Sequence, residues 1–195
     1  MSTPADYAWF ETDFPELAEA YCFTAVRAID PPGLLAALSA EPLGETVGVL
    51  GADEAAHAVL EDGLQYAAVT RLGEWALMLE PNGHLGVSDA VGGPLSHGRR
   101  AVAHFRNVNA ADHFRFWDDG VSRLDFEPLF AAGAEVSADL LPELRAAGFD
   151  LDPEGAFGHH SAAAFVLAER LTALPVTPGL LTRSRWTCGL VPIPR

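Results

Sequence analysis

The stretch RRAVAHFRNVNAADHFRFWDDGVSRLDFE, residues 99–127, decides the fold class, because three runs within it alternate apolar and polar residues at the two-residue period of a half-buried strand. The apolar sets are Ala101, Ala103 and Phe105, then Phe114 and Phe116, then Leu124 and Phe126. A two-residue turn at Asp119-Gly120 would set Phe116 opposite Arg123 and mix the faces, since directly paired residues share a side of a sheet. A three-residue loop, Asp118-Asp119-Gly120 with glycine in the left-handed region, keeps the apolar face whole. It predicts Trp117 opposite Val121, Phe114 opposite Leu124 and Arg115 opposite Arg123. The link Val108 to Ala111 then pairs Phe105 with Phe114 and Arg106 with His113.

This register gathers His104, Arg106, His113, Arg115, Trp117, Arg123 and Asp125 on the other face. Opposed guanidiniums repel unless an anion, an acid or water lies between them. The first six are therefore candidate ligand-binding residues for a carboxylate or phosphate, which paired guanidiniums recognise well. The competing reading is a solvated outer face with arginine stems laid over Trp117.

Outward from this core, Tyr21 to Ile29, Thr46 to Leu50, Tyr66 to Arg71, Glu74 to Glu80 and Trp186 to Val191 read as further strands. Helices are predicted after Asp13, after Asp30-Pro31-Pro32, from Asp53 to Gly63, after Asp139 to Gly148, from Ser161 to Leu174 and after Thr177-Pro178. Phe149 to Pro153 reads as loop, and Pro81-Asn82-Gly83 closes a strand. Strands dominate the middle and helices both ends. The expectation is a single α+β domain with a mainly antiparallel sheet of five to seven strands. It comprises an acidic N-terminal third (1–65), a central sheet (66–127) and a helical C-terminal part (137–195).

Charge divides unevenly along the 195 residues. The whole chain has 27 acids against 12 bases, a net −15, and residues 1–65 hold 12 of the acids with Arg27 as their one base. Every base is arginine. Such a field repels phosphate backbones, so nucleic acid is not an expected partner, whereas a protein with a basic surface is. No apolar run reaches the ~20 residues of a membrane-spanning helix, and Met1 to Asp13 lacks the basic start and apolar run of a signal peptide. The expected compartment is the cytoplasm, with no membrane partner. Cys22 and Cys188 are too few for a disulfide scaffold or a four-cysteine metal site, and read as reduced thiols.

Motifs of catalysis are thin. No Gly-x-Ser-x-Gly, phosphate-binding loop or dinucleotide fingerprint occurs, so no cofactor is expected. Adjacent His159 and His160 lack the i, i+4 spacing of a zinc helix, and no metal is expected. Asn107 and Asn109 read as loop amides bonding local backbone. Cys22, between Tyr21 and Phe23, reads as a buried inert thiol. Glu80, beside a turn, is a candidate acid or base, with an exposed turn carboxylate as the competing reading.

Asp6-Tyr7-Ala8-Trp9-Phe10 through Tyr21-Cys22, Trp75 with Leu79-Glu80-Pro81-Asn82-Gly83, His104-Phe105-Arg106-Asn107-Val108-Asn109-Ala110 and Ala168-Glu169-Arg170-Leu171-Thr172 span most of the chain. With these the chain resembles an uncharacterised domain-of-unknown-function family of actinobacterial, Streptomyces-type proteins of about 200 residues. The resemblance implies a bacterial, cytosolic, single-domain protein, and carries no catalytic residue. Two functions follow as expectations. One is a non-enzymatic binding or accessory protein, immunity-like, whose acidic N-terminal third docks a basic partner. The other is an anionic-ligand-binding domain or enzyme built on the His/Arg face.

Overall fold

The computed structural model describes residues 2–59, 62–152 and 159–194. Helices α1 (Trp9–Asp13) and α2 (Pro15–Glu19) precede strand β1 (Tyr21–Arg27), and α3 (Pro31–Ala37) leads to β2 (Glu41–Val47). Helix α4 (Gly48–Ala58) is followed by the hairpin β3 (Leu64–Leu72) and β4 (Trp75–Pro81), then by α5 (Asp89–Leu95). A meander of β5 (Arg100–Arg106), β6 (Asp112–Asp118) and β7 (Val121–Phe126) comes next. After it lie α6 (Leu141–Ala147), α7 (His160–Thr172), α8 (Pro178–Arg183) and β8 (Arg185–Pro192).

Among the described residues eight strands form one antiparallel sheet, ordered β2-β8-β3-β4-β1-β5-β6-β7. The α+β class and antiparallel sheet agree with the sequence, and the strand count of five to seven is corrected to eight. The strand expected over Thr46–Leu50 lies earlier, at Glu41–Val47, where Glu41, Pro42, Gly44 and Glu45 give little strand signal of their own. Pairing with β8 recruits this segment. Gly48 then turns the chain at φ +71, so close to the Thr182 carbonyl that a Cβ would stand 2.8 Å from it. Helix α4 therefore starts at Gly48, ahead of Asp53, and buries Val49, Ala52 and Ala56.

Capping chemistry places other elements as predicted. Asp30 accepts a hydrogen bond from Gly33 N at 2.8 Å, Thr177 accepts from Leu180 N at 3.1 Å, and Gly148 ends α6 at φ +101. Asp139 does not cap α6, which follows Leu140; its carboxylate pairs with Arg123 at 2.8 Å instead. Pro153, at the end of the expected loop, lies outside the described residues.

The meander departs from its predicted register in two places. Between β5 and β6, His104 lies opposite Phe114 and Phe105 opposite His113, one residue away from the expectation. The reason is that β5 is covered on both faces: Ala101 and Ala103 are buried, and so are Val102 and His104. Alternation reports a face only where one side meets water. Between β6 and β7 the turn is the two-residue Asp119-Gly120, both at positive φ (+50 and +77), which suits the twist of a hairpin. The mixing of faces that such a turn threatens is avoided by a bulge: Trp117 faces Ser122, Phe116 faces Leu124, and Arg123 is the extra residue. Arg115 then lies opposite Asp125, not Arg123.

Helices cover both sides of the sheet. On one side, α4 and α7 bury the aromatic core around Phe10, Tyr21, Phe23, Phe114 and Phe165. On the other, α3 and α5 cover Cys22, Val26, Met78 and Trp117.

Candidate functional site

The register divides the six candidate ligand residues. His104 and Arg106 point toward α7, whereas His113, Arg115 and Trp117 share the opposite face, and Arg123 occupies the bulge. They do not form one surface.

On the α7 side the organiser is Asp112, which the sequence reading did not single out. It opens β6 opposite Arg106 and has no exposed side-chain surface. His104 Nε2 donates to Asp112 Oδ1 at 2.7 Å, while Tyr21 OH donates to His104 Nδ1 over a long 3.4 Å. Burial first, then the nearby Asp112 charge, raise the Tyr21 phenol well above its ordinary pKa, which keeps it a donor. Ser161 donates to Asp112 Oδ2 at 3.3 Å, and Arg106 donates to both Ser161 Oγ (2.9 Å) and His160 Nε2 (3.0 Å). Burial lowers the His160 pKa against the pull of Asp112, matching an imidazole that accepts from a guanidinium.

Ser, His and Asp are all present here, yet their wiring is not that of a nucleophilic triad. In a triad the histidine takes the serine proton and the aspartate orients the histidine. Here histidine and serine both donate to the aspartate, and Ser161 accepts from Arg106. The arrangement clamps α7 to β5 and β6. No local signal marked it, because Asp112 and Ser161 lie 49 residues apart in the chain.

On the opposite face Arg115 is buried and engages four groups. It pairs with Asp89, contacts Asp125 Oδ2 at 3.2 Å, donates to Val87 O at 3.4 Å, and sits 4.7 Å from the Trp117 ring centroid. His113 Nε2 and Asp125 Oδ1 are 2.6 Å apart.

Glu80 is corrected from an exposed turn residue to a fully buried one. The chain after Asn82 folds back over it, so that Leu85 N and Gly86 N donate to its two oxygens at 2.8 and 2.9 Å. Burial pushes its pKa up to about 7, with the backbone donors and the Cys22 thiol acting against that rise. Cys22 is buried as expected, and burial followed by the Glu80 charge raises its thiol pKa, making it a poor nucleophile. Asn107 bonds local backbone, accepting from Asn109 N and Ala111 N.

With this geometry in hand, comparison with known proteins gives one match. A model of a family of unknown function, DUF6461, covers residues 1–195. The chain belongs to DUF6461. No curated protein and no solved structure matches it. Among the described residues of this DUF6461 chain, no helix is long and apolar enough to cross a membrane.

The DUF6461 chain also presents an uncovered sheet edge. Among the described residues strand β2 pairs only with β8, and it is exposed at every position but Thr46. Leu43 and Val47 are 43% and 58% exposed, Leu50 follows at 59%, and Glu41, Glu45 and Glu54 stand among them.

Proposed function

We propose that this chain is a non-enzymatic binding or accessory protein, in the manner of an immunity factor, whose acidic N-terminal third docks a basic protein partner. The observation that carries this reading is the β2 edge, where exposed Leu43, Val47 and Leu50 lie beside Glu41 and Glu45. Protein interfaces combine apolar anchors with complementary charge, the charge serving encounter rate and specificity. Pro42 and the irregular register at Gly44 oppose the addition of another strand. The partner therefore meets the side chains of this edge and does not extend the sheet. A cytoplasmic, actinobacterial setting, without nucleic acid or membrane, belongs to the same reading.

The anionic-ligand reading of His104, Arg106, His113, Arg115, Trp117 and Arg123 is the weaker one. Each charged or titratable member already faces a carboxylate of the chain itself, on Asp112, Asp125, Asp89 or Asp139.

The test is cross-linking with mass spectrometry in native lysate, comparing the wild type with a Glu41→Arg/Glu45→Arg variant. The expected partner is basic, cross-links within residues 41–54, and is lost in the variant. Its association slows as salt rises, because exposed charges are screened over about 8 Å at physiological ionic strength. An acidic partner, or one held equally by the variant, overturns the reading.

A further inference from the structure

In a chain of net charge −15, one cleft brings four arginines together with four acids. The ends of β1, β3 and β6 and the starts of β4 and β5 meet at one end of the sheet and bound an open cleft of about 820 Å³. Four of the 12 bases line it: Arg27, Arg71, Arg99 and Arg100. Two are neutralised within the cleft, Arg27 by Glu74 at 3.1 Å and Arg100 by Asp118 at 3.3 Å. The two remaining acids make no ion pair among the described residues: Asp30 accepts from Gly33 N at 2.8 Å and Asp119 from Gly98 N at 2.7 Å, and each holds its charge on its side of the cleft. Arg71 donates only to Gly73 O, at 3.4 Å, and among the described residues Arg99 makes no side-chain hydrogen bond or ion pair. Two guanidiniums without an ion-pair partner among the described residues, Arg71 and Arg99, therefore face the cleft, with Asp30 and Asp119 as the charges nearest to balancing them.

Arg99 and Ile29 also belong to the wall of a second cavity of about 260 Å³. The rest of that wall is mainly apolar, with Leu38, Val91, Pro94, Leu95 and Val191. Neither cavity has an aromatic ring in its lining, so neither offers a stacking platform for a base.

We propose that the two cavities form one bipartite site for a small amphiphilic anion, an organic phosphate carrying a short aliphatic chain. The phosphate sits against Arg71 and Arg99, since guanidiniums match phosphate oxygens in fork geometry. The chain enters the cavity between α5 and the segment after α3, where it leaves water. The small apolar cavity and the acidic surface of the chain favour a free soluble ester over a headgroup in an anionic bilayer.

Calorimetric titration at matched ionic strength tests this with hexyl phosphate, inorganic phosphate and hexanol, alongside sedimentation with phosphatidic acid vesicles. Hexyl phosphate is expected to bind at least tenfold more tightly than inorganic phosphate, and hexanol alone not measurably. Arg71→Gln/Arg99→Gln weakens hexyl phosphate at least tenfold. Ala90→Trp, at an exposed position on the apolar wall, reduces hexyl phosphate to the affinity of inorganic phosphate while leaving phosphate itself unchanged. Neither substitution touches the core, and each variant's unfolding curve verifies its fold. Equal binding of hexyl phosphate and phosphate, an unaltered arginine variant, or recruitment to vesicles without uptake of free hexyl phosphate overturns the proposal.

Discussion

Asp112 and Glu80 are both carboxylates on the central sheet, at 3% and 0% exposure, but they lie on opposite faces and are held in opposite ways. Asp112 is ringed by His104, Arg106, Ser161 and His160. Among the described residues Glu80 has no cation beside it and meets two backbone N–H groups and the Cys22 thiol. A buried carboxyl group is accommodated either as a charge, by gaining charged and polar partners, or by taking up a proton and becoming neutral. Asp112 follows the first route, whereas burial moves Glu80 along the second. The first site locks distant elements together, and the second adds a pH response to a local fold-back.

Removing Asp112 breaks this contrast most severely. Asp112→Ala leaves His104 and Ser161 without their acceptor and Arg106 without the carboxylate 3.9 Å away, and loss of one partner from a buried charged network costs about 3–5 kcal/mol. Asp112→Asn retains an acceptor oxygen and costs less. Urea unfolding measures both, and a loss below about 1 kcal/mol for the alanine variant would mean that α7 is held by apolar packing alone.

For Glu80 the expected signature is a pH slope. The folded-state pKa of about 7 lies above the ordinary 4.5, so between those values the folded protein binds a proton that the unfolded chain has released. The contribution is fully present below 4.5 and is lost as pH rises through 7. At 1.36 kcal/mol per unit it amounts to about 3 kcal/mol. Glu80→Gln cannot titrate, so wild-type stability should fall relative to this variant by that order between pH 4.5 and 8. Parallel curves would show that Glu80 stays ionised inside the protein.

The fold-back that covers Glu80 also depends on Gly86. A Cβ there would overlap Thr24 Oγ1 and approach Cys22 Sγ to 3.0 Å. Gly86→Ala should cost about 2–3 kcal/mol as overpacking, and Thr24→Ala in the same chain should restore part of it. Unfolding midpoints of the two single variants and the double decide this, and additive losses would refute the clash.

The two carboxylates also mark where the sequence was legible. Local chemistry was readable: Asp30 and Thr177 cap as expected, and Gly148 stops α6. Register was readable only where one face meets water, so β5, buried on both sides, slipped by one residue. The bulge at Arg123 repairs the apolar face without any glycine or proline to announce it. Glu80 beside Pro81-Asn82-Gly83 reads as solvent-exposed until the chain at Leu85 and Gly86 returns over it. Asp112 acquires its role from Ser161 and His160, which only the folded chain brings near.

The smallest expected effect comes from the other end of the strand that Asp112 begins. Asp118 closes β6, and its side chain is 32% exposed, paired at 3.3 Å with an Arg100 that is 46% exposed. Water already solvates both groups, so the attraction is weak and immobilising the arginine offsets part of it. Asp118→Asn should therefore change stability by about 0.2–1 kcal/mol, and the difference should vanish at high salt. The same substitution releases Arg100 into the arginine cleft, adding a third guanidinium without an ion pair beside Arg71 and Arg99 and making the cleft net positive. Hexyl phosphate should then bind more tightly although the fold is slightly weaker, with the gain fading as salt rises. Titration and urea unfolding on one sample separate these opposite signs. A loss of stability comparable to that of Asp112→Ala would show that burial is not what distinguishes the two ends of β6.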